Sequence, residues 1–393
     1  MPVTAAAAAA RSLALSTPLT IDRIELRLLR LELVRPFETS FGSIASRLVP
    51  LVLLHADGVT GWGEIVALEE PLFNYETVRT ACLMVEEHFA PALLGAPLRT
   101  LDDFGAVLRR FRGHPMARAG LELAWVDLMA RAGGQSVAQI LGGVRSRVDV
   151  GVSLGIEATV DLLADLVAQH REQGYRRIKV KIKPGWDVDV VAALRARFPD
   201  ILLSVDANAA YTLADADHLA ALDAHRLLMI EQPLAHDDLV DHAALQRRLS
   251  TDLCLDESIT NRRMAQHALE LGSCRIVNIK VGRVGGYAEA LAIHDLCAAR
   301  GVPVWCGGML ETGIGRAHNL ALASLPGFTL PGDISASRRY YARDVLAQPI
   351  DVAPDGTVDV PAGLGIGVEI DIDYIESQMV DRLEVGRRRR GRG

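Results

Sequence analysis

The feature that most constrains this chain is a rhythm that starts after Arg145. Short apolar segments, each ending in a charged or small residue, alternate with helical stretches. VDVGVSL ends near Ser153, RIKVKI contains Lys181, ILLSVD ends at Asp206, LLMIE at Glu231, DLCLD at Asp256, RIVNIK at Lys280 and PVWC at Cys306. From Lys181 to Cys306 the intervals are 25, 25, 25, 24 and 26 residues. A regular unit of this length is what parallel strands need, because each must return through a right-handed helical crossover. The strands are apolar along their length, as in a sheet buried on both faces. The repeat therefore predicts an α/β chain with a parallel barrel. The charged residues fall at the C-terminal ends of successive strands, the face where such barrels carry their functional groups.

Before the repeat the pattern differs. Residues 21–34 alternate apolar and polar as an antiparallel strand does, Pro36 to Ser43 reads as a polar loop, and Leu51–Leu54 and Gly61–Ala67 read as two more strands. From Asn74 to about Gly133 the pattern is helical. A small sheet followed by helices is an α+β arrangement. The stretch Thr4 to Ser16 is Ala-rich with no preceding basic residue, and reads as a loose N-terminal extension rather than a signal peptide.

Composition narrows the partners. The chain has 393 residues, 50% of them hydrophobic, and a net charge of −7. That is enough for a large core and more than one domain, and it offers no general basic surface for nucleic acid. The one basic cluster, Arg387 to Arg390, reads as a solvated tail. No apolar run approaches the ~20 residues of a membrane span. The five cysteines form no CxxC pair, which fits reduced thiols in a cytoplasmic protein. No HExxH occurs, and His236 and His242, set among acids, read as surface residues.

Asp206, Glu231 and Asp256 are three oxygen donors in phase on neighbouring strands. Three carboxylates that close need a cation, and Mg²⁺ prefers oxygen ligands while leaving positions for substrate. Glu257, beside Asp256, is expected to point elsewhere and support the site from behind. Lys179 and Lys181, two apart on one strand, share a face. Lys280 lies four strands later, across the ring. Lysines on opposite walls can address opposite faces of one carbon. Lys181 and Lys280 are thus the expected acid/base pair, with Lys179 as electrostatic support. Lys183, beside Pro184 and Gly185, falls past the strand end.

The two parts answer one chemical problem. A proton beside a carboxylate is a weak acid whose removal leaves an enediolate, and a divalent metal steadies the charge gathering on the carboxylate oxygens. The base must be a neutral amine, whereas a free lysine titrates near ~10.4. Burial and nearby positive charge favour the neutral form. The general pattern of lysine bases beside magnesium is that of enolase-type sites.

KVK at 179–181, DAN at 206–208, IEQPL at 230–234, DES at 256–258 and NIK at 278–280 resemble the motif series of the enolase superfamily, in its muconate-cycloisomerase-like subgroup. The resemblance spans roughly residues 21 to 375. It implies a (β/α)₇β TIM-like barrel at 145–340, an α+β capping domain at 21–144, a segment 341–380 returning to that cap, a flexible extension at 1–20 and a basic tail at 381–393. It also implies Mg²⁺ on Asp206, Glu231 and Asp256, with Mn²⁺ or Co²⁺ as substitutes, and a homo-oligomer. GRVGGY (282–287), WCGGMLETGIGRA (305–317) and TLPGDISAS (329–337) look most like the branch of o-succinylbenzoate synthases and N-succinylamino acid (N-acylamino acid) racemases. Val281 stands where that branch is expected to carry Pro, which bears on substrate preference.

The substrate expected from the resemblance is a small carboxylate. Ser153 fits either a strand cap or a bond to that carboxylate. Asn208 joins the substrate-side residues. Arg283 fits tuning of Lys280 or pairing with an acid. The backbone N–H groups of Gly307, Gly308 and Met309 fit an acyl or carboxylate oxygen. Phe37 and Phe41, with the stretch Pro71 to Phe73, are expected to close over the apolar end. A dipeptide epimerase would carry a DxD pair where this chain has Asp333-Ile334-Ser335. A mandelate-type racemase would carry a late histidine, which is missing near Cys306. Muconate cycloisomerase fits the GGMLETG segment less well, and a non-catalytic barrel would be expected to lose one of the lysines or carboxylates.

Overall fold

The computed structural model describes residues 14–386. Leu19–Thr20 (β1) opens the described chain, followed by Arg23–Thr39 (β2), Gly42–Ala56 (β3), Val59–Glu64 (β4) and Pro97–Leu98 (β5). The barrel region carries Arg147–Asp149 (β6), Gly151–Leu154 (β7), Arg177–Lys181 (β8), Leu202–Asp206 (β9), Ile230–Glu231 (β10), Leu253–Leu255 (β11), Ile276–Ile279 (β12) and Val304–Cys306 (β13). Thr357–Asp359 (β14) and Met379–Gly386 (β15) complete the strands.

Strands β7 to β13 form one parallel sheet in sequence order. Helices such as Val160–Glu172 and Tyr287–Ala299 return the chain between them. Every residue of β8, β10, β11, β12 and β13 is buried, as expected of a sheet covered on both faces. The ring closes through an irregular eighth element rather than a regular strand. Gly332 N–H donates to Asp149, Gly151 N–H to Gly332 and Asp333 N–H to Cys306, at 3.2, 2.7 and 2.8 Å. Pro331 has no N–H to give a ladder, so pairing here is confined to these few bonds.

The second sheet is antiparallel, in the order β15-β2-β3-β4. Helix Pro115–Ala132 lies against it with almost no exposed face. Glycines permit that approach: a Cβ on Gly61 would stand 2.1 Å from the Ala124 carbonyl oxygen, and one on Gly63 2.2 Å from that of Gly120.

Several expectations are corrected here. The stretch 36–43 is the tip of a long hairpin, with Phe37 paired to Ile44 and Thr39 to Gly42. Its Glu38 carbonyl accepts from Ile156 N–H at 3.1 Å, so the tip is fastened to the barrel mouth. The described part of 1–20 is not loose: β1 pairs with β5, and Leu15 and Leu19 are buried. The returning segment does not stop at 380, since β15 continues to Gly386 beside β2; Arg387 to Arg390 lie outside the described residues. His236 is exposed as expected, but His242 is fully buried, accepting from Leu234 N–H through Nε2 and contacting the Asp238 carbonyl through Nδ1.

Candidate active site

The strand ends gather the charged groups at one mouth of the barrel. On β8 the alternation turns Lys179 and Lys181 the same way, and both are buried. Asp206 and Glu231 face each other in register at the ends of β9 and β10, and Asp256 follows β11 directly. All three carboxylates are at most 1% exposed. Lys179 Nζ lies 2.7 Å from Glu231, 3.1 Å from Asp206 and 2.7 Å from Asp333. Lys181 Nζ donates to Asp206 at 2.6 Å and to Asn208 Oδ1 at 2.5 Å. Lys280 Nζ donates to Asp256 at 2.7 Å and stands 4.6 Å from the centre of the Phe73 ring.

The electrostatics follow from that packing. Burial alone would lower Lys179, but the charges of Asp333, Glu231 and Asp206 outweigh it and hold its ammonium well above the ordinary lysine range. Burial would raise Asp206, yet Lys181 and Lys179 hold it well below the usual carboxylate range. Glu231 is pushed up, first by burial and then by the charge of Asp206. Glu257 is pushed up to about 7 by burial and by Asp206. Its Oε1 accepts from Asn208 Nδ2 at 2.8 Å, so it supports the site through Asn208.

Among the described residues, no three acidic, histidine or cysteine side chains converge with the spacing of a metal cage. The cause is visible in the contacts: the carboxylate oxygens are turned toward ammonium and guanidinium groups. The donor chemistry nonetheless fits a hard divalent cation, being three buried carboxylates on adjacent strands in a cluster that already requires positive charge.

A cavity opens above these groups. Lys179, Lys181, Lys280, Ser153, Asn208, Gly308 and Met309 line it, as do Phe37 and Phe41 from the hairpin tip. Ser153 Oγ is buried and has no hydrogen-bond partner among the described residues. Gly307 packs just behind the wall, where a Cβ would stand 2.3 Å from Asn278 Oδ1 and 2.7 Å from Lys280 Cε, so no larger residue fits. Arg283 is not a cavity residue. It is fully buried, ion-paired with Asp256 and bonded to the Ile259 and Asn278 carbonyls at 3.1 and 2.7 Å. Of its two sequence readings, pairing with an acid is the one observed.

Sequence reasoning passed over several members. Asp333 lines the cavity and bridges Lys179 and Arg177. Continuing the strand rhythm one step past Cys306 would have found it. Asn278 donates to Glu231 at 2.9 Å from the first position of the NIK motif. Gln232, at φ 38°, accepts from the N–H groups of Asp256 and Ser258 and fixes the turn after β11. Tyr340 adds apolar wall and carries no motif that marks it, whereas Phe73 and Leu310, also in the wall, fall in the stretches 71–73 and 305–317 that the sequence singles out.

Comparison with known proteins agrees with this geometry. Residues 23–142 match the mandelate racemase / muconate lactonizing enzyme N-terminal domain, and residues 162–374 match the enolase C-terminal domain-like family. The chain belongs to the enolase superfamily. Enzymes of this superfamily generally use Mg²⁺. An o-succinylbenzoate synthase of Geobacillus kaustophilus is 52% identical over 91% of this chain and 96% of its own length. An N-succinylamino acid racemase of Thermus thermophilus is 50% identical over 91% and 96%. Both names are names of enzymes, and o-succinylbenzoate and N-succinylamino acids are small carboxylates. A solved enolase-superfamily structure from Listeria innocua superposes with a TM-score of 0.90 at 39% identity, covering 94% of this chain and 99% of that one. No described helix is long and apolar enough to cross a membrane.

Proposed function

We propose that this chain moves a proton at the carbon beside a substrate carboxylate, as an N-succinylamino acid racemase, an o-succinylbenzoate synthase, or both. The observation that carries the reading is the placement of Lys181 and Lys280. They line one cavity from strands four apart in the sheet, above three buried carboxylates. Mg²⁺ held by Asp206, Glu231 and Asp256, with Mn²⁺ or Co²⁺ as substitutes, would supply positive charge where the substrate carboxylate gathers negative charge. Lys181, free of its proton, takes the α-proton on one face, and Lys280 as an ammonium returns one on the other. The reverse assignment serves the opposite enantiomer. Loss of water from a cyclohexadiene carboxylate needs only one of the two lysines as the base. Lys179, held cationic by Asp333, Glu231 and Asp206, adds fixed positive charge. The aromatic walls from Phe37, Phe41 and Phe73 fit the apolar part of the substrate. The free cysteines fit a cytoplasmic setting.

The test is α-proton exchange of N-succinyl-L-phenylalanine in D₂O, followed by NMR and optical rotation. Mg²⁺-dependent loss of both signals is expected. Lys181→Ala and Lys280→Ala should each lower racemisation by roughly 10²- to 10⁴-fold. Exchange that persists in both variants would refute the assignment. No exchange in the unaltered enzyme would leave the dehydration as the reading to test, with the menaquinone precursor as substrate.

A further inference from the structure

The loop after β13 is held in an unusual state. Leu310 has φ 58°, a left-handed conformation that side chains with a Cβ avoid. Two groups from outside the loop fix it. Arg47, from the capping sheet, donates through Nη1 to the Met309 carbonyl at 2.6 Å. Its Nη2 donates to the Val66 and Ala67 carbonyls at 3.3 and 3.1 Å, so the guanidinium is itself anchored. The Tyr341 hydroxyl donates to the Leu310 carbonyl at 2.6 Å. Arg47 is only 2% exposed, so these bonds form in low dielectric, where a cation is not placed without use.

The Met309–Leu310 peptide is trans, as is every described peptide. In a trans peptide the carbonyl and the N–H point to opposite sides. With the Met309 carbonyl turned to Arg47, the Leu310 N–H faces away from the cap arginine. Gly308, Met309 and Leu310 all line the cavity. The Met309 N–H is already occupied, donating to Glu311 at 2.8 Å. The Leu310 N–H has no protein partner among the described residues. We propose that Arg47 is a positioning residue of the capping domain that turns the Met309–Leu310 peptide so that the Leu310 N–H binds the acyl or distal carboxylate oxygen of the substrate. The inference rests on the proposed substrate class; of the backbone donors expected at Gly307, Gly308 and Met309, the first and last are already bonded, to the Ile279 carbonyl at 3.2 Å and to Glu311 at 2.8 Å, and Leu310 is added to the set. It also accounts for the strained φ: the turn that presents the N–H requires it, and Arg47 and Tyr341 hold it there.

The experiment is calorimetric binding of N-succinyl-L-phenylalanine to the whole Mg²⁺-loaded enzyme, measured separately from proton exchange. Replacing Leu310 by its α-hydroxy acid through nonsense suppression turns one N–H into an ester oxygen and changes no side chain. About tenfold weaker binding is expected from the loss of one hydrogen bond. Arg47→Met should weaken binding by a similar factor, raising KM far more than it lowers kcat. Arg47→Lys should recover part of the loss, since one ammonium can still reach a carbonyl. Binding unchanged in the ester variant overturns the inference even if Arg47→Met fails to fold. Absence of binding in the unaltered enzyme overturns the substrate reading and this inference with it. Binding without exchange overturns the racemase reading alone and leaves the ester comparison decisive.

Discussion

Glu64 offers a sharp test of how the two sheets are joined. It ends β4 and reaches across to the start of helix Gly313–Ala323, accepting from Thr312 Oγ1 at 2.6 Å and from the N–H groups of Thr312 and Gly315 at 3.1 Å each. Burial pushes its carboxyl up to about 8, with the Thr312 hydroxyl pulling it partly back and the charge of Glu311 adding to the rise. An acid whose folded pKa lies above its unfolded value stabilises most below the unfolded value, and that contribution is lost as pH rises through the interval. Between about pH 7 and about pH 8 the folded carboxyl holds from roughly 0.9 to roughly 0.5 of a proton and the unfolded one almost none, so stability falls by about 1 kcal/mol. Glu64→Gln removes that slope. It also adds an offset of about 1–3 kcal/mol common to both pH values, because the amide NH₂ cannot accept from the helix N–H groups. Urea unfolding of both proteins at the two pH values isolates the term, since Glu122 and Glu257, both pushed up to about 7, cancel in the difference. Parallel loss in the two proteins would refute the reasoning. It would mean that the helix N-terminus already holds Glu64 ionised.

Other perturbations probe the rest of the frame. Mg²⁺ at about 100 times its Kd should stabilise the enzyme by about 2.7 kcal/mol in thermal or urea unfolding. Asp206→Asn should abolish the response, and an unaltered enzyme that ignores both Mg²⁺ and EDTA would sink the metal reading. Gly63→Ala places a Cβ 2.2 Å from the Gly120 carbonyl oxygen and 2.8 Å from Ala124 N, and should cost about 2–3 kcal/mol in urea unfolding. Lys179→Met strips Glu231 and Asp333 of a shared buried cation and should cost about 3–5 kcal/mol. Lys183→Ala, whose partner Glu38 is half exposed at 3.4 Å, should cost no more than about 1 kcal/mol, and equal losses would contradict the burial argument.

What the sequence made legible was whatever repeats. Lys181, Asp206, Glu231, Asp256 and Lys280 are found by counting, because one βα unit has one length and each unit ends at the same mouth. Elements set by contacts across long stretches of chain were not legible in that way. The stretch around Pro36 and Gly42 has turn residues and few apolar ones, yet it pairs as a hairpin because its tip lies on the barrel at Ile156. The eighth barrel element lacks strand character because Pro331 interrupts it, and only closure of the ring defines it. His242 sits among Asp237, Asp238 and Asp241 in the sequence, and burial is decided by its bond to Leu234 rather than by that polar neighbourhood. Strand β15 carries a charged face because it is the edge of its sheet with one side on water, so its short apolar alternation was lost beside the arginines that follow.

The cavity divides along the same line. Its charged groups, Lys179, Lys181, Lys280 and Asp333, come from the barrel strands or the closing element. Phe37, Phe41 and Ile44 come from the capping hairpin, and Leu68 and Phe73 from the segment after β4. A barrel strand end is set by its ladder, which fixes a proton-transfer group to within the tolerance that chemistry demands. A hairpin tip is held by few bonds, here Ile156 N–H to the Glu38 carbonyl, the Ser40 hydroxyl to the Asn208 carbonyl at 3.3 Å and the half-exposed Lys183–Glu38 pair at 3.4 Å. It can therefore change shape or sequence without moving a lysine. Selectivity for the apolar end of the substrate and competence in moving the proton are in that sense separable properties of this chain. Arg47 is where they meet, because it belongs to the capping sheet and bonds the loop that follows a barrel strand.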